Sequence, residues 1–361
     1  MVRCFLDLLS IPDAIHPWQI KEMQMSSQPE LKRRRFLKPI VMVVAALFVT
    51  VAAVTLFMGP LARDRNYAHL NRFWGDHWPL QRGRYLPVRL LPLLERIGMI
   101  QRVTYEIEPG IAYVLDPRDV IESALLDKGT WDDEVWSMVA GHLKPGATLI
   151  DIGAHIGTFS IPGAKAVGTT GRVVAVEPNP MTVARLNANI AASGWKNILV
   201  EPVACGDTNG TLPLYIGSQV NSGTSSLAKA NAVDHGAKGG SVDVPIERLD
   251  DIVKRARLTR IDAIKIDVEG AETGVIKGGE MSIRTFHPVI VLEVVDQMLK
   301  NMGSSKAELE SVLRGYGYVK TRENSSHDNA EWSPAPSLVR LRVRPSGGEG
   351  VTRGLSRITG Q

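Results

Sequence analysis

Cysteine is scarce in this sequence. Cys4 and Cys205 are the only two among 361 residues, and they lie on opposite sides of a long uncharged segment. The region that follows the segment therefore has one thiol and cannot form an internal disulfide. This cysteine usage favours a reducing compartment.

Two common phosphate-binding patterns are also missing. In the stretch TLIDIGAHIGTFS, Thr148 to Ser160, Gly153 and Gly157 have the spacing G-x-x-x-G instead of G-x-G-x-x-G, and no Lys-Ser pair follows. This spacing excludes a Walker-type phosphate loop and does not fit the dinucleotide fingerprint. A nicotinamide-dependent enzyme is therefore disfavoured.

Positive charge is concentrated near the N-terminus. The first 100 residues contain 14 Lys and Arg against 7 Asp and Glu, whereas the remaining residues contain 28 against 31. That larger region has no basic stripe interleaved with aromatic residues. We therefore expect no nucleic-acid partner.

An uncharged segment of 24 residues lies between Lys38 and Arg63. As a helix it spans roughly 30 Å of hydrocarbon, so we predict that residues 39–62 form a single transmembrane anchor in the lipid bilayer. Residues 1–38 form a basic tail, and residues 63–102 form a membrane-proximal linker. The basic run Lys32–Lys38 is typical of a cytoplasmic flank, and it also matches a twin-arginine export signal.

Apolar strand segments alternate with helical segments from residue 103 to residue 343. This alternation predicts one α/β domain with a doubly wound, mostly parallel sheet and helices on both faces. Residues 103–115 predict a hairpin, and the glycine- and serine-rich residues 344–361 predict a disordered tail. Strands are predicted at 147–152, 172–176, 197–203, 262–267 and 288–294.

Ligands of such sheets bind at the carboxyl ends of the strands. Asp151 ends the first strand before the glycine turn, and Glu177 ends the next, where its carboxylate can accept hydrogen bonds from ribose hydroxyls. Asp151 would repel a pyrophosphate and attract a cation. This favours S-adenosyl-L-methionine, a phosphate-free adenosine compound with two cationic groups. The predicted cofactor-binding residues are Asp151, Gly153, Ala154, His155, Gly157, Glu177, Pro178, Asn179 and, near the adenine, Asp207.

Five blocks of the sequence closely resemble, in order, those of FkbM-type methyltransferases. They are IDIGAHIGTFS, AVEPNP, RLDDIV, IDAIKIDVEGAE and PVIVLEV, and the resemblance covers about residues 120–340. It implies an S-adenosylmethionine-dependent enzyme that acts on hydroxyl oxygens of sugars, lipids or polyketides. It also implies the Rossmann-like class I methyltransferase fold, with seven strands in the order 3-2-1-4-5-7-6 and strand 7 antiparallel.

One residue departs from the family pattern. His155 stands where the family often has asparagine, and it introduces a titratable group that could make cofactor binding depend on pH. A histidine facing solvent is an equally good interpretation of this position.

Methyl transfer to a neutral hydroxyl requires a base or a metal beside the acceptor. Asp267, at the end of the fourth predicted strand, is the first candidate for the base or for a group that orients the substrate. Glu269 and Glu272 are the second candidates, although each could instead stabilise a helix N-terminus. Glu293 could line the same cleft, and no metal is predicted.

We therefore expect a membrane-anchored O-methyltransferase whose acceptor is a sugar, a lipid or another small molecule. The basic flank would place the catalytic domain outside the cytosol, whereas the supply of the methyl donor, which is made in the cytosol, favours the cytosolic side, so the sequence leaves the orientation open. The alternative is a non-catalytic, membrane-anchored cofactor-binding or scaffold module. The sequence names neither the acceptor nor the oligomeric state, and substrate choice is expected to depend on the linker and on residues 217–245.

Overall fold

The computed structural model describes residues 103–116, 119–217, 222–234, 240–326 and 328–337. The predicted basic tail, transmembrane anchor, linker and C-terminal tail all lie outside the described residues. Within those ranges, no helix is long and apolar enough to cross a membrane.

The elements alternate as predicted over most of the domain. The strands are β1 (Val103–Glu108), β2 (Ile111–Leu115), β3 (Thr148–Ile152), β4 (Arg172–Val176), β5 (Ile198–Glu201), β6 (Ala204–Gly206), β7 (Gly210–Tyr215), β8 (Ser241–Arg248), β9 (Ala263–Ile266), β10 (Val289–Glu293), β11 (Tyr318–Glu323) and β12 (Asn329–Pro334). The α-helices are α1 (Val120–Lys128), α2 (Asp133–Ala140), α3 (Ser160–Val167), α4 (Pro180–Ser193), α5 (Lys229–Asp234), α6 (Leu249–Arg255), α7 (Glu272–Gly278), α8 (Glu280–Phe286), α9 (Asp296–Asn301) and α10 (Lys306–Gly315).

Seven strands form the central sheet in the order β5-β4-β3-β9-β10-β12-β11. Strand β12 is antiparallel to both of its neighbours, whereas β5, β4, β3, β9 and β10 are parallel. In chain order this is 3-2-1-4-5-7-6 with strand 7 antiparallel, which confirms the predicted topology.

The parallel strands are apolar because helices cover both faces of the sheet. On one face, Ile150 and Ile264 belong to a buried cluster with side chains from α6, α7 and α10. On the other face, Leu149 and Ala263 pack with side chains from α2 and α3. Alternate residues of a strand point to opposite faces, so β3 and β9 contribute to both clusters.

The hairpin β1–β2 is tied to the glycine turn through one buried asparagine. Asn189 of α4 accepts a hydrogen bond from the Val114 amide (2.8 Å) and donates one to the Ile156 carbonyl (2.8 Å). The Tyr113 hydroxyl also donates to the Gly157 carbonyl (3.3 Å). The hairpin therefore supports the turn that follows β3.

A second sheet replaces part of the region expected to form a substrate loop. Strands β6, β8 and β7 pair in that order, so residues from 241 onward form a strand. Val244 and Ile246 are buried against Leu214, which is the period-two pattern of a half-buried strand. Pro245 occupies an exposed position of this alternation.

Two glycines of α7 give a matched test of this packing. A Cβ on Gly278 would lie 1.8 Å from the Gly206 carbonyl oxygen, whereas a Cβ on Gly274 would have no neighbour closer than 3.7 Å. We expect Gly278→Ala to lower the free energy of unfolding by about 1–3 kcal/mol, because two backbones must separate. Gly274→Ala should be neutral or stabilising by up to about 1 kcal/mol. Chemical denaturation of both variants checks this, and equal stabilities would contradict it.

Candidate active site

A cavity of about 320 Å³ opens at the carboxyl ends of β4, β3, β9 and β10. This volume falls within the range of about 300–1,000 Å³ that is usual for small-molecule sites. The walls come from four strand ends, from α2 and from the segment before α5. The lining residues that bear on its chemistry are Trp131, Gly153, His155, Thr158, Phe159, Glu177, Pro178, Val203, Ala204, Cys205, Ser222, Lys265, Asp267, Glu269 and Glu293.

The glycine turn is shaped by contacts within the protein. Gly153 has φ 78°, and a Cβ there would lie 1.7 Å from the Asp267 carbonyl oxygen. Gly157 has φ 95°, and its Cβ would lie 2.9 Å from the side chain of Leu186. Gly153 lines the cavity, but Gly157 and the buried Ala154 are not among the lining residues. Both positions thus favour glycine because φ is positive, Gly153 also because of its contact with the Asp267 backbone, and only Gly153 faces the cavity.

Glu177 lies in the cavity wall at the end of β4, as predicted. One carboxylate oxygen accepts a hydrogen bond from the His155 amide (3.0 Å), and the other accepts one from the Asn179 amide (2.9 Å). Burial raises the pKa of Glu177 to about 7, although these hydrogen bonds oppose the shift. Asn179 itself caps α4 by accepting from the Met181 amide, and Pro178 lines the cavity.

Asp151 lies beneath the cavity and is not one of the lining residues. Its side chain is fully buried, accepts a hydrogen bond from the Ser160 hydroxyl (2.5 Å) and lies 3.7 Å from Nζ of Lys265. Burial raises its pKa, while Lys265 and Ser160 act in the opposite direction. The structure therefore places Asp151 as a support under the turn.

Asp207 is exposed and is not among the residues that line the cavity, so its place beside an adenine stays a prediction that the cavity does not support. The third strand of the central sheet ends at Glu201, and the chain then enters the small sheet through β6. This change of sheet brings Val203, Ala204 and Cys205 to the cavity instead. Sequence reasoning missed them because it extended the third strand to residue 203.

Three acidic side chains, Asp267, Glu269 and Glu293, line the cavity next to one another. Burial and, next, the nearby Asp267 raise the pKa of Glu269 to about 8. Burial and Asp267 also place the pKa of Glu293 well above its usual value. Because each carboxylate disfavours ionisation of the next, this wall can hold both carboxylates and protonated acids at neutral pH.

Glu272 does not line the cavity, so the structure gives it no catalytic position. It is buried, and one carboxylate oxygen accepts hydrogen bonds from the amides of Val268 (3.1 Å) and Gly270 (3.2 Å). Burial raises its pKa to about 7. Glu272 thus stabilises the turn that presents Asp267 and Glu269.

Lys265 is a functional candidate that the sequence analysis missed. It is the only Lys or Arg among the described residues that line the cavity, and its side chain is 5% exposed. Its ammonium group lies between Asp151 and Asp267. The signal was a single charge within the otherwise apolar strand AIKI, because burying such a charge requires partners.

His155 connects the turn to the segment before α5. Its Nε2 lies 2.8 Å from the Ser222 hydroxyl, which donates to Asp119 (2.7 Å). Burial lowers the pKa of His155 to about 4, so the ring is neutral at physiological pH. Glu177, with its pKa near 7, is the better source of any pH dependence of cofactor binding.

No group of three or more His, Cys, Asp or Glu within the described ranges is arranged to hold a metal ion.

The order of the seven strands and the cavity above their carboxyl ends define a class I methyltransferase. The profile of the methyltransferase FkbM domain matches residues 151–320. Methyltransferase sdnD of Sordaria araneosa is 30% identical over 239 residues, which cover 59% of this chain and 87% of that protein. The chain belongs to the FkbM methyltransferase family, as its sequence blocks predicted, and S-adenosyl-L-methionine is the cofactor of this family.

Other relatives have named substrates. Hexuronic acid methyltransferase AglP of Haloferax volcanii is 27% identical and is covered over 74% of its length, with 56% of this chain aligned. The 31-O-demethyl-FK506 methyltransferase FkbM of Streptomyces tacrolimicus is 26% identical and is covered over 84%, again with 56% of this chain aligned. A crystal structure of a methyltransferase FkbM from Methylobacillus flagellatus aligns with 73% of this chain and 57% of that chain, at 15% identity and a TM-score of 0.37.

The structural role of Glu272 can be tested with two substitutions. Glu272→Ala leaves the buried amides of Val268 and Gly270 without their acceptor, and we expect the free energy of unfolding to fall by about 1–3 kcal/mol. Glu272→Gln keeps an acceptor oxygen and should retain most of that stability and of the enzyme's activity. Thermal unfolding and turnover of both variants check this. Loss of turnover in a stable Glu272→Gln variant would instead indicate a catalytic carboxylate.

Proposed function

We propose that this protein transfers a methyl group from S-adenosyl-L-methionine to a hydroxyl oxygen of a sugar, a lipid or another small molecule. The observation that carries the proposal is that Glu177 and Asp267, at the ends of β4 and β9, line one cavity. Two relatives support a hydroxyl-bearing acceptor, because one is named for a hexuronic acid and the other for a 31-O-demethyl compound.

The cavity residues fit the cofactor at its ribose end. Each oxygen of Glu177 accepts one amide hydrogen bond and keeps a further lone pair, so the carboxylate can accept from two vicinal hydroxyls. A largely apolar wall for the adenine of the cofactor is formed by Val203, Ala204 and Cys205. When bound, the cofactor supplies an electrophilic methyl group on a cationic sulfonium.

The acidic side chains of the cavity suit the cationic end of S-adenosyl-L-methionine, which carries the sulfonium and the ammonium group. A cationic ligand beside Asp267, Glu269 and Glu293 would favour the ionised forms of these acids, whereas a phosphate would oppose their ionisation, so the cavity favours a cation over a phosphate. The side chain of Asp267 is 42% exposed and is therefore accessible from the cavity. We assign Asp267 as the group that accepts the hydroxyl proton of the acceptor or orients that hydroxyl.

A second cavity, of about 780 Å³, offers room for the rest of the acceptor. Trp131 and Thr158 line both cavities, and Tyr105 and Trp136 line the larger one. We propose that the acceptor extends past Trp131 into this space. Incubation of the protein with radiolabelled donor and fractionated host lipids, glycans and proteins tests this assignment. Cofactor binding without labelling of any fraction would favour the non-catalytic scaffold instead.

Membrane attachment through residues 39–62 is a separate proposal, supported by the 24 uncharged residues between Lys38 and Arg63. The catalytic domain then faces the compartment that contains the methyl donor, because the donor is consumed at each turnover. Protease treatment of sealed inverted vesicles tests the orientation. A domain that resists external protease would overturn it.

Cofactor affinity should depend on pH through Glu177. Its pKa of about 7 means that the carboxylate form, which accepts the ribose hydrogen bonds, becomes dominant as pH rises from about 6 to about 8. We expect the affinity for S-adenosylhomocysteine, measured by calorimetry, to rise about tenfold over this interval, because the binding-competent fraction rises from about one tenth to about nine tenths.

Glu177→Gln is the matched control for this titration. It should bind more weakly and lose the rise, and any remaining pH dependence would then belong to Glu269 and Glu293. An unchanged profile in Glu177→Gln would exclude Glu177 as the source.

Turnover should depend on Asp267 more than cofactor binding does. We expect Asp267→Asn to lower kcat by about 10²–10⁴-fold, because an amide cannot accept the hydroxyl proton. The affinity for S-adenosylhomocysteine should stay within a few-fold of the parent protein. Unchanged kcat in this variant would remove Asp267 from the mechanism.

A further inference from the structure

Lys265 occupies the centre of the sheet beneath the cavity. On β9 it pairs in register with Asp151 of β3 on one side and with Val291 of β10 on the other. Asp267 follows it by two residues, and Glu293 follows Val291 by two, so all these side chains emerge on the same face of the sheet. The register therefore places one cation among three carboxylates.

The Lys265 ammonium group contacts both halves of the site. Nζ donates a hydrogen bond to the Gly153 carbonyl oxygen at 3.1 Å. It lies 3.5 Å from a carboxylate oxygen of Asp267 and 3.7 Å from one of Asp151. Nζ also lies 4.9 Å from the centre of the Phe159 ring. One side chain thus joins the glycine turn after β3 to the acid after β9.

The lysine is protonated in this position. Burial lowers the pKa of Lys265, but the neighbouring Asp267 and Asp151 outweigh burial and raise it above the ordinary lysine value. A protonated ammonium group has three N–H donors and no acceptor, so Lys265 cannot remove a proton from the acceptor. Any contribution of Lys265 to methyl transfer must therefore come from the positions in which it holds neighbouring groups.

A purely structural role would be to balance the buried charge of Asp151. The distances do not favour that role alone, because Nζ lies closer to the Gly153 carbonyl and to Asp267 than to Asp151. Asp151 also accepts a hydrogen bond from Ser160. Hence the ammonium group of Lys265 lies at least as close to Gly153 and Asp267, which line the cavity, as to Asp151 beneath them.

We propose that Lys265 is a positioning residue for methyl transfer, which holds the Gly153 carbonyl and the Asp267 carboxylate in a single arrangement. The proposal rests on the proposed function, since it assigns Asp267 to the reacting hydroxyl. It adds that one shared cation, Lys265, aligns the glycine turn at Gly153 with the Asp267 carboxylate proposed to act on the acceptor hydroxyl. A misplacement of about 1 Å in such an alignment can cost about 100-fold in rate.

The decisive protein is the double variant that carries both Lys265→Met and Asp151→Asn. Lys265→Met alone leaves Asp151 buried without a cation and is expected to destabilise the protein. The double variant removes both charges, and we expect it to regain thermal stability and to bind S-adenosylhomocysteine. Its kcat should remain about 10–100-fold below that of the parent protein.

The pH profile of kcat separates positioning from charge balance. In the double variant Glu269 loses the nearby cation that lowers its pKa, while the carboxyl groups of Asp267, Glu272 and Glu293 still face it. The acid limb of the profile should therefore move to higher pH. Lys300→Met, which removes an exposed lysine paired with Asp296 and lies in neither cavity, is the control and should change neither stability nor turnover appreciably.

Parent-like kcat and an unmoved pH profile in the double variant would overturn the proposal and leave Lys265 as the counter-ion of Asp151. If the double variant does not fold, the Lys265→Arg variant tests the positioning role instead. Its guanidinium keeps the charge but has a different shape, so kcat should fall while the melting temperature stays near the parent value. Parent-like kcat in Lys265→Arg would be the contrary result. Absence of S-adenosylhomocysteine binding by the parent protein would instead refute the proposed function itself.

Discussion

The close approach of two backbones at the end of the sheet organises this molecule. Gly153 lies against the carbonyl of Asp267 so closely that a Cβ would stand 1.7 Å from the oxygen. The Asp267 amide donates to the Ile152 carbonyl (3.0 Å), and the Gly153 amide donates to the Val176 carbonyl (3.0 Å). Three neighbouring strand ends are thereby joined into one unit. The turn, the Glu177 carboxylate proposed to bind the ribose and the Asp267 carboxylate proposed to act on the acceptor hydroxyl keep their spacing because of these contacts.

The electrostatics of the cavity follow from this close approach of the strand ends. Parallel strands bring their carboxyl ends to one edge of the sheet, so acids at the ends of different strands meet in a small volume. Burial and mutual repulsion then raise the pKa of Glu269 and Glu293, whereas Lys265 partly compensates the charge of Asp151 and Asp267. An environment of this kind favours a cationic cofactor, and it makes the placement of the buried Lys265 cation important for the arrangement of the acids.

Several parts of the fold could be predicted because their causes are local. The parallel strands are continuous apolar segments since both faces are covered, and each was located to within two residues. Glu177 was found because it ends such a strand. Other parts have no local signal. Asp207 follows an apolar segment as Glu177 does, but the chain changes sheets before reaching it. Glu272 differs from Glu269 only in what surrounds it, which is a pair of amides instead of a cavity.

The sequence by itself determined the class of fold, the family and the ends of the parallel strands, since hydrophobic periods and the family's motifs are short patterns of neighbouring residues. The tertiary structure alone decided which acids face the cavity and which support it. It also identified Lys265 as the link between Gly153 and Asp267. Those assignments depend on the register between strands that are more than 100 residues apart in the chain, and nothing in the local pattern encodes that register.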